Sequence, residues 1–331
     1  MDQILSAILA IVIGVGVTVL YFFGSNLILD RALGDTVDAS GAFVSREKQR
    51  ENIRPWLFIA PALIVLTLYL VYPAIQTFFL SFYDNNGRNY VGLENYQRAA
   101  GDQNFLEAVR NNILWLIMVP AFSTAFGLLI AVLADRVSWG NIAKSLIFMP
   151  MAISFVGASV IWKFIYTLNP NIGLANAIIV GLGGTPVDVL QIPFWNNFFL
   201  MIILVWIQTG FAMVLLSAAL RGVPEETLEA ASIDGANGIQ IFFRIIIPQI
   251  MGTIFVVWTT ILITVLKVFD IVLAMTNGNW NTQVMANYMF DQMFRAFDNG
   301  YASFLALVIM VAVIPIMYIN IRRFQREEAE R

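Results

Sequence analysis

Seven long apolar runs separated by polar joints set the plan of this chain. They cover residues 3–29, 55–83, 111–134, 145–166, 194–220, 249–275 and 302–321. Each has about the 20 residues that a helix needs to cross a bilayer. The pattern predicts an all-α polytopic membrane bundle of about seven helices. The first run carries no charge. It is longer than the apolar stretch of a secretory leader, and no A-x-A cleavage site follows, so it reads as a retained anchor over 1–29. Residues 30–55 form a polar linker, and 56–325 form a six-span core.

One polar joint reads as ordered structure, the stretch 221–248 between the fifth and sixth runs. Pro224 followed by Glu225 and Glu226 marks a helix start, because acids favour the positive end of the helix dipole. Gly235 stands where a left-handed residue ends that helix. Asn237-Gly238 reads as a turn, and a second short helix runs to Pro248. From local chemistry alone, an amphipathic connector accounts for this stretch as well as a docking element does.

Lys and Arg settle the expected orientation. Joints 30–54, 135–144, 221–248 and 322–331 carry 13 basic residues, and the opposite set carries 4. Basic residues gather on the cytoplasmic side. The amino terminus is therefore expected outside, with the 221–248 joint and the carboxyl terminus in the cytoplasm. Arg46 to Arg54 are expected near anionic headgroups.

Composition narrows the chemistry. The 331 residues are 59% hydrophobic and 12% charged, with net charge −3. Nothing there suits nucleic acid. There is no Cys and no His. That removes disulfides, thiol nucleophiles and thiolate or imidazole metal sites, and no metal or other cofactor is expected in this chain. No phosphate-cradling GxxxxGK[ST] loop occurs, so any ATP belongs to a partner.

Two groups inside the apolar runs are candidates for a solute path. Trp206, Gln208 and Thr209 lie in the fifth run, and the three-residue spacing puts Trp206 and Thr209 on one helix face. An aromatic plane beside amide and hydroxyl groups suits a sugar, and helix packing accounts for the same residues equally. In the sixth run Lys267 and Asp270, three apart, can pair on a continuous helix. With Thr264 they line the outer path, or they form a structural ion pair or leave a snorkelling lysine. Pro73, Pro120, Pro150 and Pro315 are candidate kinks.

Glu229, Ala230 and Ala231, then Asp234, Gly235 and Ala236, and finally Ile245 to Pro248 resemble the EAA motif of ABC-importer permeases, in the form of the sugar-importing class. The likeness extends over about residues 56–325. It includes Gly92 to Tyr96, Arg110-Asn111-Asn112, Gly127 to Ala131, Pro150, Val160 to Lys163, Lys267 to Asp270 and Thr276 to Gly278. Gly278-Asn279-Trp280 departs from the Gly-Gly-Pro that the family often has there. The resemblance implies one half of a heterodimeric pore in a bacterial cytoplasmic (inner) membrane. It implies a second permease subunit, an ABC ATPase dimer docked on Glu229 to Ala236, and an extracytoplasmic sugar-binding protein. The implied cargo is an oligosaccharide, a disaccharide of the alpha-glucoside kind, passing Trp206, Gln208, Thr209, Thr264, Lys267 and Asp270, with no covalent chemistry in this chain. The alternatives are an ion-coupled secondary transporter, which calls for inverted repeats and a buried carboxylate, and a membrane-embedded enzyme, which calls for a titratable cluster.

Overall fold

The computed structural model describes residues 2–37 and 43–329. Its regular structure is helical, apart from a two-residue antiparallel pairing of β1 (Thr36–Val37) with β2 (Phe43–Val44) and a single bridge between Tyr83 and Tyr90. Among the described residues five helices are long and apolar enough to span a membrane, and up to seven spans result if each of two bent helix pairs counts as one. The chain forms two compact units, Met1–Gln76 and Thr77–Arg331.

The first unit is an antiparallel pair, α1 (Asp2–Ala32) beside α2 (Glu47–Leu80) as far as Gln76. Phe22 stacks on Phe58 at 5.2 Å, and the Tyr21 hydroxyl donates to the Leu57 carbonyl at 3.0 Å. At the joint end, Arg54 pairs with Asp30 at 3.0 Å and Arg50 with Asp35 at 3.2 Å. Two of the basic residues expected at headgroups are thus tied to carboxylates of the same hairpin. Large apolar side chains of α1 lie exposed along its length, as lipid-facing helices require. In α2 a π turn over Thr67–Val71 ends two residues before Pro73. The proline lacks an N–H and crowds the preceding turn, and the wider turn accommodates it.

The second unit holds α3 (Glu94–Gly101), α4 (Gln103–Ala134), α5 (Gly140–Phe148), α6 (Phe155–Tyr166), α7 (Leu174–Gly181) and α8 (Trp195–Arg221). The chain continues through α9 (Glu225–Ile233), α10 (Gly238–Gln249), α11 (Met251–Leu266), α12 (Asp270–Met275), α13 (Met285–Phe294) and α14 (Asn299–Ala329). Its core joins Trp115 and Val119 of α4 to Leu200, Leu204 and Leu216 of α8 and to Val257 and Ile261 of α11. Helices in lipid approach closely where small residues meet. A Cβ on Gly127 would lie 2.5 Å from the Ala212 Cβ, and one on Gly210 would lie 2.6 Å from the Ile147 carbonyl oxygen.

The fourth predicted span is not one straight helix. It breaks through a 3₁₀ turn at Met149–Ala152, and α6 leaves at 107° to the first half. Pro150 sits in that turn, and the Ser154 hydroxyl caps α6 by accepting from the Gly157 N–H at 3.1 Å. α10, which falls in the joint 221–248 up to its last residue, leads into α11 at a bend of 67°. It contains a second π turn, Phe242–Ile246, again two residues before a proline, Pro248. Pro120 and Pro315 lie inside unbroken helices.

Candidate functional site

The joint between α8 and α11 folds from local instructions. Pro224 takes an extended conformation and caps α9, so the helix begins at Glu225, one position after the proline. Glu225 and Glu226 occupy the first turn. Gly235 has φ +82°, the left-handed region that glycine adopts without cost. Its N–H donates to the Ser232 carbonyl at 3.1 Å, and the Ala236 N–H donates to the Ala231 carbonyl at 3.0 Å. This pair of bonds closes the helix. One residue later a reciprocal cap opens α10: the Gln240 N–H donates to Asn237 Oδ1 at 2.9 Å, and the Asn237 N–H donates to Gln240 Oε1 at 2.8 Å. Ala231 is buried, whereas Glu226, Glu229, Ala230 and Ile233 are exposed, Ile233 to 86%. Those four lie at i, i+3, i+4 and i+7, so they form one outward face. Asp234 and Gly235 are exposed at its end, and Ala236 is half-buried. Ile233 was not picked out from sequence; its signal is the same helical spacing, carried one turn past Glu229.

A charge cluster anchors the stem of this joint. The Lys144 ammonium lies 2.5 Å from Asp135 Oδ1 and 2.5 Å from the Ser217 hydroxyl, and Arg221 lies 3.3 Å from Asp135. Burial pushes the Asp135 carboxyl up, but the hydrogen bond and charge of Lys144, with those of Arg221, outweigh it and hold it below the usual carboxylate range. The cluster joins the ends of α4 and α8 to α5, four residues before α9 begins.

In the middle of α8, Trp206 is half-buried and meets Trp162 of α6 edge-to-face, with ring centres 5.8 Å apart. Thr209 is buried, and its hydroxyl is taken by the Val205 carbonyl at 2.6 Å. Gln208 is half-buried, with no hydrogen-bond partner for its amide among the described residues. Trp206 and Gln208 are about 200° apart around the helix, so they serve different faces.

The Lys267–Asp270 pair is not formed. Spacing of three brings side chains together only on a continuous helix, and α11 ends at Leu266. Lys267 (φ −104°, ψ 17°) and Phe269 (φ −141°, ψ −59°) leave helical geometry. Lys267 is exposed, and Asp270 is half-buried at the start of α12. Thr264 is half-buried and donates to the Thr260 carbonyl at 3.1 Å.

At the other end of this unit stands a polar clamp that sequence reading missed. Buried Asn111 donates to the Asn281 and Gln283 carbonyls at 3.0 and 2.8 Å, and Asn112 accepts from the Met285 N–H at 2.9 Å. Asn196 reaches the Trp280 carbonyl at 2.6 Å, and Asn197 the Asn281 carbonyl at 3.1 Å. Asn277, Gly278, Trp280 and Asn281 all have positive φ. The side chains of α4 and α8 therefore hold this strained turn in shape. The available signal was the Asn-rich run 277–281, since asparagine tolerates left-handed backbone better than most residues. Nearby, Asp102 accepts from the Tyr288 and Tyr301 hydroxyls at 2.5 and 2.7 Å. Burial raises its carboxyl, but the two hydroxyls together with the Asn104 and Phe105 backbone N–H groups outweigh it and leave it below its ordinary value.

Comparison with known proteins places this geometry. Residues 109–326 match the family described as binding-protein-dependent transport system inner membrane component. The alpha-glucoside transport system permease protein AglF of Rhizobium meliloti (strain 1021) is 61% identical over 333 residues, covering 99% of each chain. The osmoprotective compounds uptake permease protein GgtC of Synechocystis sp. is 51% identical over 83% of this chain and all of that one. A solved bacterial ABC transporter that imports the acidic polysaccharide alginate matches in fold, with a TM-score of 0.72 at 21% identity, over 84% of this chain and 99% of that one. With the bundle, the bent spans and the closed α9–α10 joint in place, these matches mean that this chain belongs to the family of inner-membrane components of binding-protein-dependent transport systems.

Proposed function

We propose that this chain is the permease subunit of an ATP-driven importer whose cargo is an oligosaccharide, a disaccharide of the alpha-glucoside type. It performs no covalent chemistry and carries no cofactor. A second permease subunit completes the pore, a dimer of ABC ATPases binds on the cytoplasmic side, and an extracytoplasmic sugar-binding protein delivers the cargo. The amino terminus lies outside and the carboxyl terminus in the cytoplasm, with 1–29 an anchor, 30–55 a linker and 56–325 the core. The observation that carries the reading is the exposed face of α9, Glu226, Glu229, Ala230 and Ile233, held by a closed helix end at Gly235. A separate protein docks on such a face, and a push on it reaches the bundle through Arg221, Asp135 and Lys144. Cargo passes the Trp162–Trp206 pair, and Gln208, Thr264, Lys267 and Asp270 are further candidates for the path, with Thr209 serving packing. The likeness of the chain to an alpha-glucoside permease supports the sugar assignment.

Gly235→Val tests the reading. No atom lies within 4 Å of a Cβ at this position, so the added branch point meets open space, and the cost to this chain is left-handed strain of about 1–2 kcal/mol. The variant should insert normally but lose ATPase association, or lose the ATPase stimulation that sugar-loaded binding protein gives in reconstituted complex. Wild-type stimulation would remove α9 as the docking element.

A further inference from the structure

We infer that α10, together with the end of α4, forms a seat for one anionic phospholipid of the cytoplasmic leaflet. Between them lies a cavity of about 580 Å³, lined chiefly by Leu129, Val132, Arg136, Ile239, Phe242 and Phe243. That volume lies within the range of small-ligand sites.

Three observations select a lipid. The first is orientation. α10 is bent 67° from α11, so with α11 upright in the bilayer α10 runs close to the membrane plane. The second is patterning. Ile239, Phe242, Phe243 and Ile246 fall at i, i+3, i+4 and i+7, one apolar stripe, and Ile239 and Phe243 are 72% and 65% exposed. Gln240 and Arg244 line a separate polar hollow with Asp234 and Gly235. An apolar stripe opposite a polar face with a cation is the build of a helix that lies at the headgroup boundary. The third is charge. Arg136 follows the last turn of a spanning helix, is exposed, and has no side-chain partner among the described residues. Its neighbour Asp135 is already engaged by Lys144 and Arg221. The apolar walls take acyl chain and the guanidinium takes the phosphate. The cavity lining shares no residue with the outward face of α9 formed by Glu226, Glu229, Ala230 and Ile233.

The test uses the complete reconstituted complex. Because the chain contains no cysteine, Phe243→Cys carries a single nitroxide in a chain with no competing thiol. In vesicles of phosphatidylcholine with phosphatidylglycerol, the label should be open to dissolved oxygen and shielded from a water-soluble nickel chelate. Shielding from both reagents would mean that a protein subunit covers the groove, and access to the chelate would mean water; either result overturns the proposal. Native mass spectrometry of the unlabelled complex should find phosphatidylglycerol retained over phosphatidylcholine. Arg136→Gln should reduce that preference about fivefold, the ratio that about 1 kcal/mol per basic residue at an anionic surface gives. An unchanged preference, or displacement of the lipid by inorganic phosphate, would also overturn it.

Discussion

Gly127→Ala is a direct probe of how closely α4 and α8 lie. The added carbon would lie 2.5 Å from the Ala212 Cβ, 2.8 Å from the Met213 N and 3.0 Å from the Ala212 carbonyl carbon. Two of these are backbone atoms, which no rotamer change moves aside. Carbon atoms in good contact are about 3.5–4.0 Å apart, so the two helices must part by about 1 Å. That loosens fully buried Trp115, Val119 and Leu216 on the same interface. Overpacking of this kind costs about 1–3 kcal/mol. Thermal unfolding of the purified complex, followed by loss of the monodisperse peak in chromatography, should drop on the order of 5 °C. Gly101→Ala is the control, since nothing lies within 4 Å of a Cβ there. Ala212→Gly in the Gly127→Ala background removes the closest atom and should restore part of the loss. If Gly127→Ala melts with the wild type while Gly101→Ala does too, the close crossing is wrong.

Two further outcomes follow from the opposite end of the unit. Asn111→Leu leaves the Asn281 and Gln283 carbonyls without their donor, at about 1–3 kcal/mol, and should make the 276–284 turn sensitive to protease in intact complex; unchanged resistance would refute the clamp. Asp102→Asn should cost about 1 kcal/mol at neutral pH, because hydrogen bonds to a charged acceptor weaken. Since the folded carboxyl lies below its ordinary value, its contribution is complete above about pH 4 and is lost as pH falls through the folded value. The gap in melting temperature between wild type and variant should therefore stay flat from pH 5 to 8 and narrow in acid, and a gap that opens between pH 5 and 8 would contradict the assignment.

Where one period or one residue dominates the physics, the fold was legible in advance. Apolar length located the spans, and glycine's tolerance of positive φ located the end of α9. The reading failed where a local rule presupposed a neighbour. Lys267 and Asp270 pair only if the helix continues, and the backbone leaves the helix between them. Pro150 hinted at a kink, but the 107° turn at 149–154 also depends on the Ser154 cap and on α8 packing through Gly210 against Ile147. The asparagine clamp was invisible for a different reason. Asn111, Asn196 and Asn197 look like loop-edge residues in hydropathy, and their role is defined by carbonyls about 85 to 170 positions away.

The back-to-back termination at Ser232 to Gln240 bears on how a complex of this kind assembles. One helix is closed by Gly235, the next is opened by Asn237, and every bond involved lies within the ten residues from Ala231 to Gln240. The segment therefore needs no second protein to acquire its shape. A surface that is already ordered loses little conformational freedom on association, and such preorganisation leaves more of the interface energy as affinity. On the assignment proposed above, the permease would meet its motor subunit as a rigid plug meets a socket. Newly inserted copies would be competent to recruit the ATPase as soon as α8 and α11 are in the membrane, whatever the order in which the other subunits arrive.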